Sequence, residues 1–225
     1  VNAVLVNTRN WKWEAGFSVG HYKNEITELP DGSLNYITTY ALDANGNKDL
    51  STAKTIHGYT SSIYGKNNIL TAVGSAAGVF YGYQTAGVFA SDAEAKAAGL
   101  KYPTGLVQNP YRDFKAGDVR FVDQNGDGWI SEADMVQIGD PNPDIYGNIF
   151  TNLTWKNLTL SLDFKYSLGN DIYNYQRSQL ESANGIYNQT AAVVNRWKYN
   201  GQVTDMPRTM ASTSEEWVNN ERFSD

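Results

Sequence analysis

Cysteine is missing altogether and histidine occurs only twice among the 225 residues. Without cysteine there is no disulfide framework, no thiolate metal site and no thiol nucleophile. The chain also lacks a basic stripe: its formal net charge is −6, and no cluster of Lys and Arg gathers to neutralise phosphates, which excludes DNA and RNA as partners. No stretch reaches the roughly 18 consecutive apolar residues of a membrane helix, and no charged segment followed by an apolar run opens the chain. That excludes helical membrane spans and nothing more. His21 and His57 stand in no Ser or Asp arrangement that would make either a base, so no enzyme activity is expected.

Aromatic residues are abundant, at 13% of the chain (15 Tyr, 8 Phe and 6 Trp), a profile that favours β structure over helices. Trp11, Trp13, Ala15, Phe17, Val19 and His21 alternate with Lys12, Glu14, Gly16, Ser18, Gly20 and Tyr22. Period two over that length predicts a long strand with one apolar face. Leu158, Leu160, Leu162, Phe164, Tyr166 and Leu168 repeat the pattern against Thr159, Ser161, Asp163, Lys165 and Ser167. Just upstream, Ile149, Leu153 and Trp155 oppose Asn148, Asn152 and Thr154, with Lys156 and Asn157 as a hairpin turn. Strands this long match the roughly 9 to 11 tilted residues that cross a bilayer. Trp155 flanks one tight turn, and Trp11 and Trp13 follow another at Asn7 to Asn10, where an interfacial aromatic belt belongs.

Two folds are open at this point: a soluble β-sandwich, and an all-β antiparallel segment of a transmembrane outer-membrane barrel. In the barrel reading the strands lie near 11–22, 146–155 and 158–168. With the tight turns on the periplasmic side, residues 23–145 and 169–225 become long extracellular segments. The first is too long to be structureless. Within it Ser91 and Glu94 form a capping box that opens a short helix over DAEAKAA, which Gly99 stops; in the second, Thr213 and Glu216 cap a helix through Trp217 and Val218. Both chain ends read as interior to a longer sequence, and no plug domain is expected in this stretch. Asp163 and Lys165 are placed to line a wet interior, and the tyrosine pairs Tyr81 and Tyr83, and Tyr173 and Tyr175, either pack loops or stack on sugar rings.

One motif is chemically specific. Asp123, Asn125, Asp127, Trp129, Ser131 and Asp134 stand in the spacing of an EF-hand-like calcium loop. A hard cation needs converging oxygens: side chains at positions one, three and five, the Trp129 carbonyl at seven, Ser131 at nine, and a closing carboxylate at twelve, with Gly128 allowing the turn and Ile130 packing inward. Asp134 replaces the usual Glu, so closure is less secure. The expected cofactor is structural Ca2+; the competing reading is an Asx-turn stapled by its own side chains. A strand-like DVRFV before Asp123 argues against a calcium sensor, which needs a helix on both sides.

The run GDVRFVDQNGDGWISEADMVQIGDPNPDIYGNIF, followed by WKNLTLSLDFKYSLGNDIYNYQ, resembles the C-terminal region of SusC/RagA importers. So do GHYKNEITEL, GVFYGYQTAGVF, RW followed by TDMPR, and RFSD, which together span nearly the whole chain. The resemblance implies a TonB-dependent outer-membrane receptor: a 22-stranded plugged barrel, energised by TonB through a plug region absent here. It also implies capping by a SusD-like surface lipoprotein and import of glycans, oligosaccharides or peptides. The alternative is a soluble, secreted, calcium-binding domain that recognises carbohydrate. The two differ in what meets the apolar face of Leu158 to Leu168: lipid in the barrel, protein side chains in the sandwich.

Overall fold

In a computed structural model, described over residues 1–63, 66–106, 109–182 and 188–209, antiparallel strands dominate. In chain order the elements are β1 (Asn2–Asn7), β2 (Trp11–His21), β3 (Tyr36–Thr39), β4 (Lys54–Ile63), β5 (Lys66–Ala72), β6 (Val79–Tyr83), β7 (Thr85–Val88) and α1 (Asp92–Ala98). There follow β8 (Lys101–Leu106), β9 (Asn109–Asp113), β10 (Val119–Phe121), β11 (Met135–Gly139), β12 (Ile145–Trp155), β13 (Leu158–Leu168) and α2 (Tyr175–Leu180). No described helix is long and apolar enough to cross a membrane. The helix expected from Thr213 lies outside the described residues, as does the RFSD motif.

The long strands form a four-stranded sheet in the order β1-β2-β12-β13. Its centre is β12, paired without a break to β2 from Ile145↔His21 to Trp155↔Trp11 and to β13 from Ile145↔Leu168 to Trp155↔Leu158. Register is pinned by the two-residue turn at Lys156, whose φ of 53° supplies the left-handed step a tight hairpin needs. The Lys156 N–H also donates to the Asn10 carbonyl at 2.8 Å. Both short turns therefore sit at one end of the sheet, and both long excursions leave from the other.

The first excursion folds into a lobe of its own, containing a five-stranded sheet (β11-β6-β5-β4-β3) and two short ribbons (β10-β7 and β8-β9). It has its own buried interior: Leu70, Ala72, Val79 and Tyr81 under one sheet, and Phe89, Ala95, Tyr102, Phe114, Val119, Phe121 and Ile130 around α1. Ser91 caps α1 through the Glu94 N–H and Gly99 ends it at φ 66°, because glycine alone enters the left-handed region without steric cost. Residues 191–208 strap this lobe: Trp197 donates Nε1 to the Ala90 carbonyl at 3.0 Å, and Arg208 Nε binds the buried Asp118 carboxylate at 2.7 Å.

Candidate functional site

Pairing across three strands places like residues in rows. On one face Trp11, Trp155 and Leu158 share a row, followed by Trp13, Leu153 and Leu160, then Phe17, Ile149 and Phe164. Nothing in the described chain covers this face: Leu158 is 67% exposed, Phe164 62% and Leu160 51%. A contiguous apolar surface of this kind marks a partner or a lipid phase. Its turn end is aromatic. Trp11 and Trp155 lie 5.7 Å apart, Lys156 sits 5.2 Å over the Trp155 ring, and the Trp13 Nε1 donates to Thr151 Oγ1 at 2.9 Å. Amphipathic rings beside a cation suit a boundary between apolar and wet phases.

The opposite face is polar. Ser18 bonds Asn148, Asn148 Nδ2 reaches Asp163 Oδ2 at 3.4 Å, and Thr154 meets Thr159 at 3.2 Å. Two aromatics interrupt it, each lying over a glycine of β2: Phe150 on Gly16 and Tyr146 on Gly20, where a Cβ would stand within 2.6 Å and 2.7 Å of the rings. Glycine is what lets those rings approach the β2 backbone so closely. Asp163 and Lys165 stay exposed on this face.

The acidic loop is the hub of the lobe. Asp123 accepts the Gly126 and Gly128 N–H groups at 2.6 and 2.8 Å, Asn125 accepts Asp127 N–H at 2.9 Å, and Asp127 accepts Trp129 N–H at 2.8 Å. Its second oxygen reaches out of the loop to the Leu42 N–H at 2.8 Å. Asp134 is fully buried and accepts Gln124 and Ser131 N–H groups at 2.9 and 2.8 Å, while Ser131 caps the turn that follows. Ile130 enters the core. Trp129 packs edge-on against Tyr111 and under Gly46, where the backbone is left-handed (φ 82°) and a Cβ would stand 2.9 Å from the indole. The six residues singled out by spacing are thus held in one loop, but with their carboxylates turned onto backbone donors. Among the described residues no group of three or more His, Asp or Glu stands positioned to hold a metal. Burial raises the Asp134 pKa, reinforced by the Asp123 and Asp127 charges and opposed by the two N–H donors.

Of the remaining sequence candidates, Tyr81 is buried and unavailable to a sugar, Tyr83 packs on Phe121 at 5.6 Å, and Tyr173 lies beside Phe80. His21 bonds the Asp144 carbonyl through Nδ1 and His57 stacks on Tyr36 at 4.5 Å. Sequence reasoning missed the Asp118–Arg208 pair, whose partners lie far apart in the chain. It also missed a polar cavity of about 320 Å³ between the sheet end and the lobe, lined by His21, Asn24, Asp140 and Asn142 among others.

No family model matches the chain. Over 208 residues it is 30% identical to each of two proteins of Formosa agariphila, TonB-dependent receptor P3 and TonB-dependent receptor P26, in both cases across 92% of this chain and 18% of the relative. The chain therefore spans less than a fifth of these relatives' length. Among solved structures, it is similar to the RagAB peptide transporter (TM-score 0.56, 19% identity, covering 96% of this chain and 20% of that one). It is also similar to the RagAB peptide importer in its "closed-closed" state (TM-score 0.54, 18% identity, 92% and 19%). At these identities the structures speak to fold alone.

Asp134→Ala strands two backbone donors, one buried and one half-buried, and costs the lobe about 2–4 kcal/mol, while Asp134→Asn, which keeps one acceptor and removes the buried charge, costs less. Because the folded pKa is raised, the wild-type contribution of Asp134 is fully present below the ordinary carboxylate range and declines as pH rises through the raised value. Amide exchange at Gln124 and Ser131 across pH reads both effects; equal protection in all three proteins would refute the assignment.

Proposed function

We propose that the chain, similar over 92% of its length to TonB-dependent receptors, lies in the outer membrane and forms part of the wall and outer surface of an import barrel. The carrying observation is the uncovered apolar face of a sheet whose central and flanking strands run eleven residues. At ~3.3 Å per residue and ~45° of tilt, eleven residues rise about 25 Å, the height of a barrel's apolar band. In this reading the face of Leu158 to Leu168 meets lipid, the face of Ser18, Asn148 and Asp163 meets the wet interior, and the lobe and its strap stand at the cell surface. The soluble-sandwich alternative is disfavoured because a sandwich covers that face with its own side chains, which the described residues do not.

The finer assignments follow the same kinship. Cargo enters through the barrel, energised by TonB through a region outside this stretch, and a SusD-like surface lipoprotein meets the outer loops. The cargo class is a glycan, an oligosaccharide or a peptide. We assign the chain no catalysis.

For the acidic loop, calcium is proposed as a weak ligand. The donor set is all oxygen, but binding must compete with the N–H donors already on Asp123, Asp127 and Asp134, which places the affinity near the 10⁻⁴–10⁻³ M order of extracellular modules. Trp129 fluorescence should respond to calcium over about that range and lose the response in Asp123→Ala; a flat titration sinks calcium and leaves the staple.

Membrane placement is tested by two neighbouring substitutions in the intact protein. Leu162→Arg should cost about 2–4 kcal/mol of barrel stability and deplete the protein from outer membranes, while Asp163→Arg should be tolerated. Equal tolerance would contradict the orientation.

A further inference from the structure

Asn-Gly dipeptides are the peptide bonds most prone to spontaneous deamidation, because glycine offers no side chain to hinder attack by its nitrogen on the preceding Asn Cγ. Three lie in the described residues, at Asn45-Gly46, Asn125-Gly126 and Asn200-Gly201, all with exposed asparagines. In each, the glycine N–H that must be freed to react is engaged: Gly46 with the Asp43 carbonyl at 2.9 Å, Gly201 with the Ala90 carbonyl at 2.8 Å, and Gly126 with the Asp123 carboxylate at 2.6 Å.

Only at Gly126 is the acceptor a side chain, and a charged one. There the rest of the geometry favours reaction: Asn125 Oδ1 accepts the Asp127 N–H at 2.9 Å, which draws electron density from Cγ. We propose that Asn125-Gly126 is a guarded deamidation site, in which Asp123 holds the nucleophile and thereby sets the lifetime of the acidic loop. When the guard opens, the Gly126 nitrogen bonds to Asn125 Cγ and loses its proton, the side-chain nitrogen leaves as ammonia, and a succinimide forms. Water then opens the ring at either carbonyl, giving Asp or isoAsp at position 125. The first product adds a fourth carboxylate to Asp123, Asp127 and Asp134; the second inserts a methylene into the backbone of the loop. Either one loosens the hub that joins Leu42, Trp129 and the core through Ile130.

Releasing one charge-assisted hydrogen bond raises the population of the reactive state by about tenfold to a hundredfold. The test is peptide mass mapping of the intact protein during prolonged incubation at mildly alkaline pH with a calcium chelator present. In the folded wild type Asn125 should remain an amide, and it should deamidate in urea. Asp123→Ala should accelerate conversion at Asn125 by about that factor and leave Asn45 and Asn200 unchanged. Asp127→Ala, which removes the acceptor for Trp129, for Leu42 and for the Asn125 Nδ2 at 3.0 Å but leaves the Gly126 bond, separates guarding from general loop order and should accelerate Asn125 far less than Asp123→Ala does. Deamidation of folded wild type at the urea rate, no acceleration in Asp123→Ala, or equal acceleration in Asp127→Ala would each overturn the proposal.

Discussion

Lipid offers no hydrogen bonds, so any chain that crosses it must pair every backbone N–H and C=O within the protein. In the proposed barrel wall, the four-stranded sheet meets that constraint. Strand β12 is bonded on both sides along its whole length, in unbroken register with β2 and β13, and carries apolar residues outward from those paired strands. In that proposal the outer edges of β1 and β13 are where further strands would attach, since an open edge is tolerated neither in lipid nor in water.

What lies beyond the strand ends answers a different solvent. The lobe is built as an aqueous protein, with buried aromatics, a capped helix and a loop whose carboxylates satisfy backbone donors. Its attachment is short and polar: Asp171 accepts the Asp140 N–H at 2.7 Å and donates its own N–H to the Asp140 carbonyl at 2.7 Å. This reciprocal clasp joins the segment leaving β13 to the one entering β12, so the lobe is carried by strands of the four-stranded sheet. The Asp118–Arg208 pair then locks the later strap onto the lobe.

The long strands were legible because period-two alternation over eleven residues has no helical counterpart. Phe150 was not assigned a face, since its place on the polar side depends on Gly16 of a neighbouring strand. The lobe's short strands were largely missed: β6 is buried almost throughout and shows no alternation, and β4 mixes threonine, serine and glycine. The acidic loop was legible as a pattern but not as an arrangement, because alternating Asx residues suit a cation and a set of Asx-turns equally well. Capping at Ser91 could be read locally. The Asp118–Arg208 pair could not, since its residues are brought together only by the fold; the TDMPR run was the sole hint that Arg208 mattered.

The most direct test of the proposed lipid-facing sheet is spin labelling along β13 in the intact protein in membranes, one label at a time at Leu160, Ser161, Leu162, Asp163, Phe164 and Lys165. Labels at Leu160, Leu162 and Phe164 should be relaxed by lipid-soluble oxygen, and those at Ser161, Asp163 and Lys165 by a water-soluble nickel chelate, alternating with every residue. A profile without alternation, or one in which the leucine positions are shielded from both reagents, would show that protein and not lipid covers this face and would contradict the account.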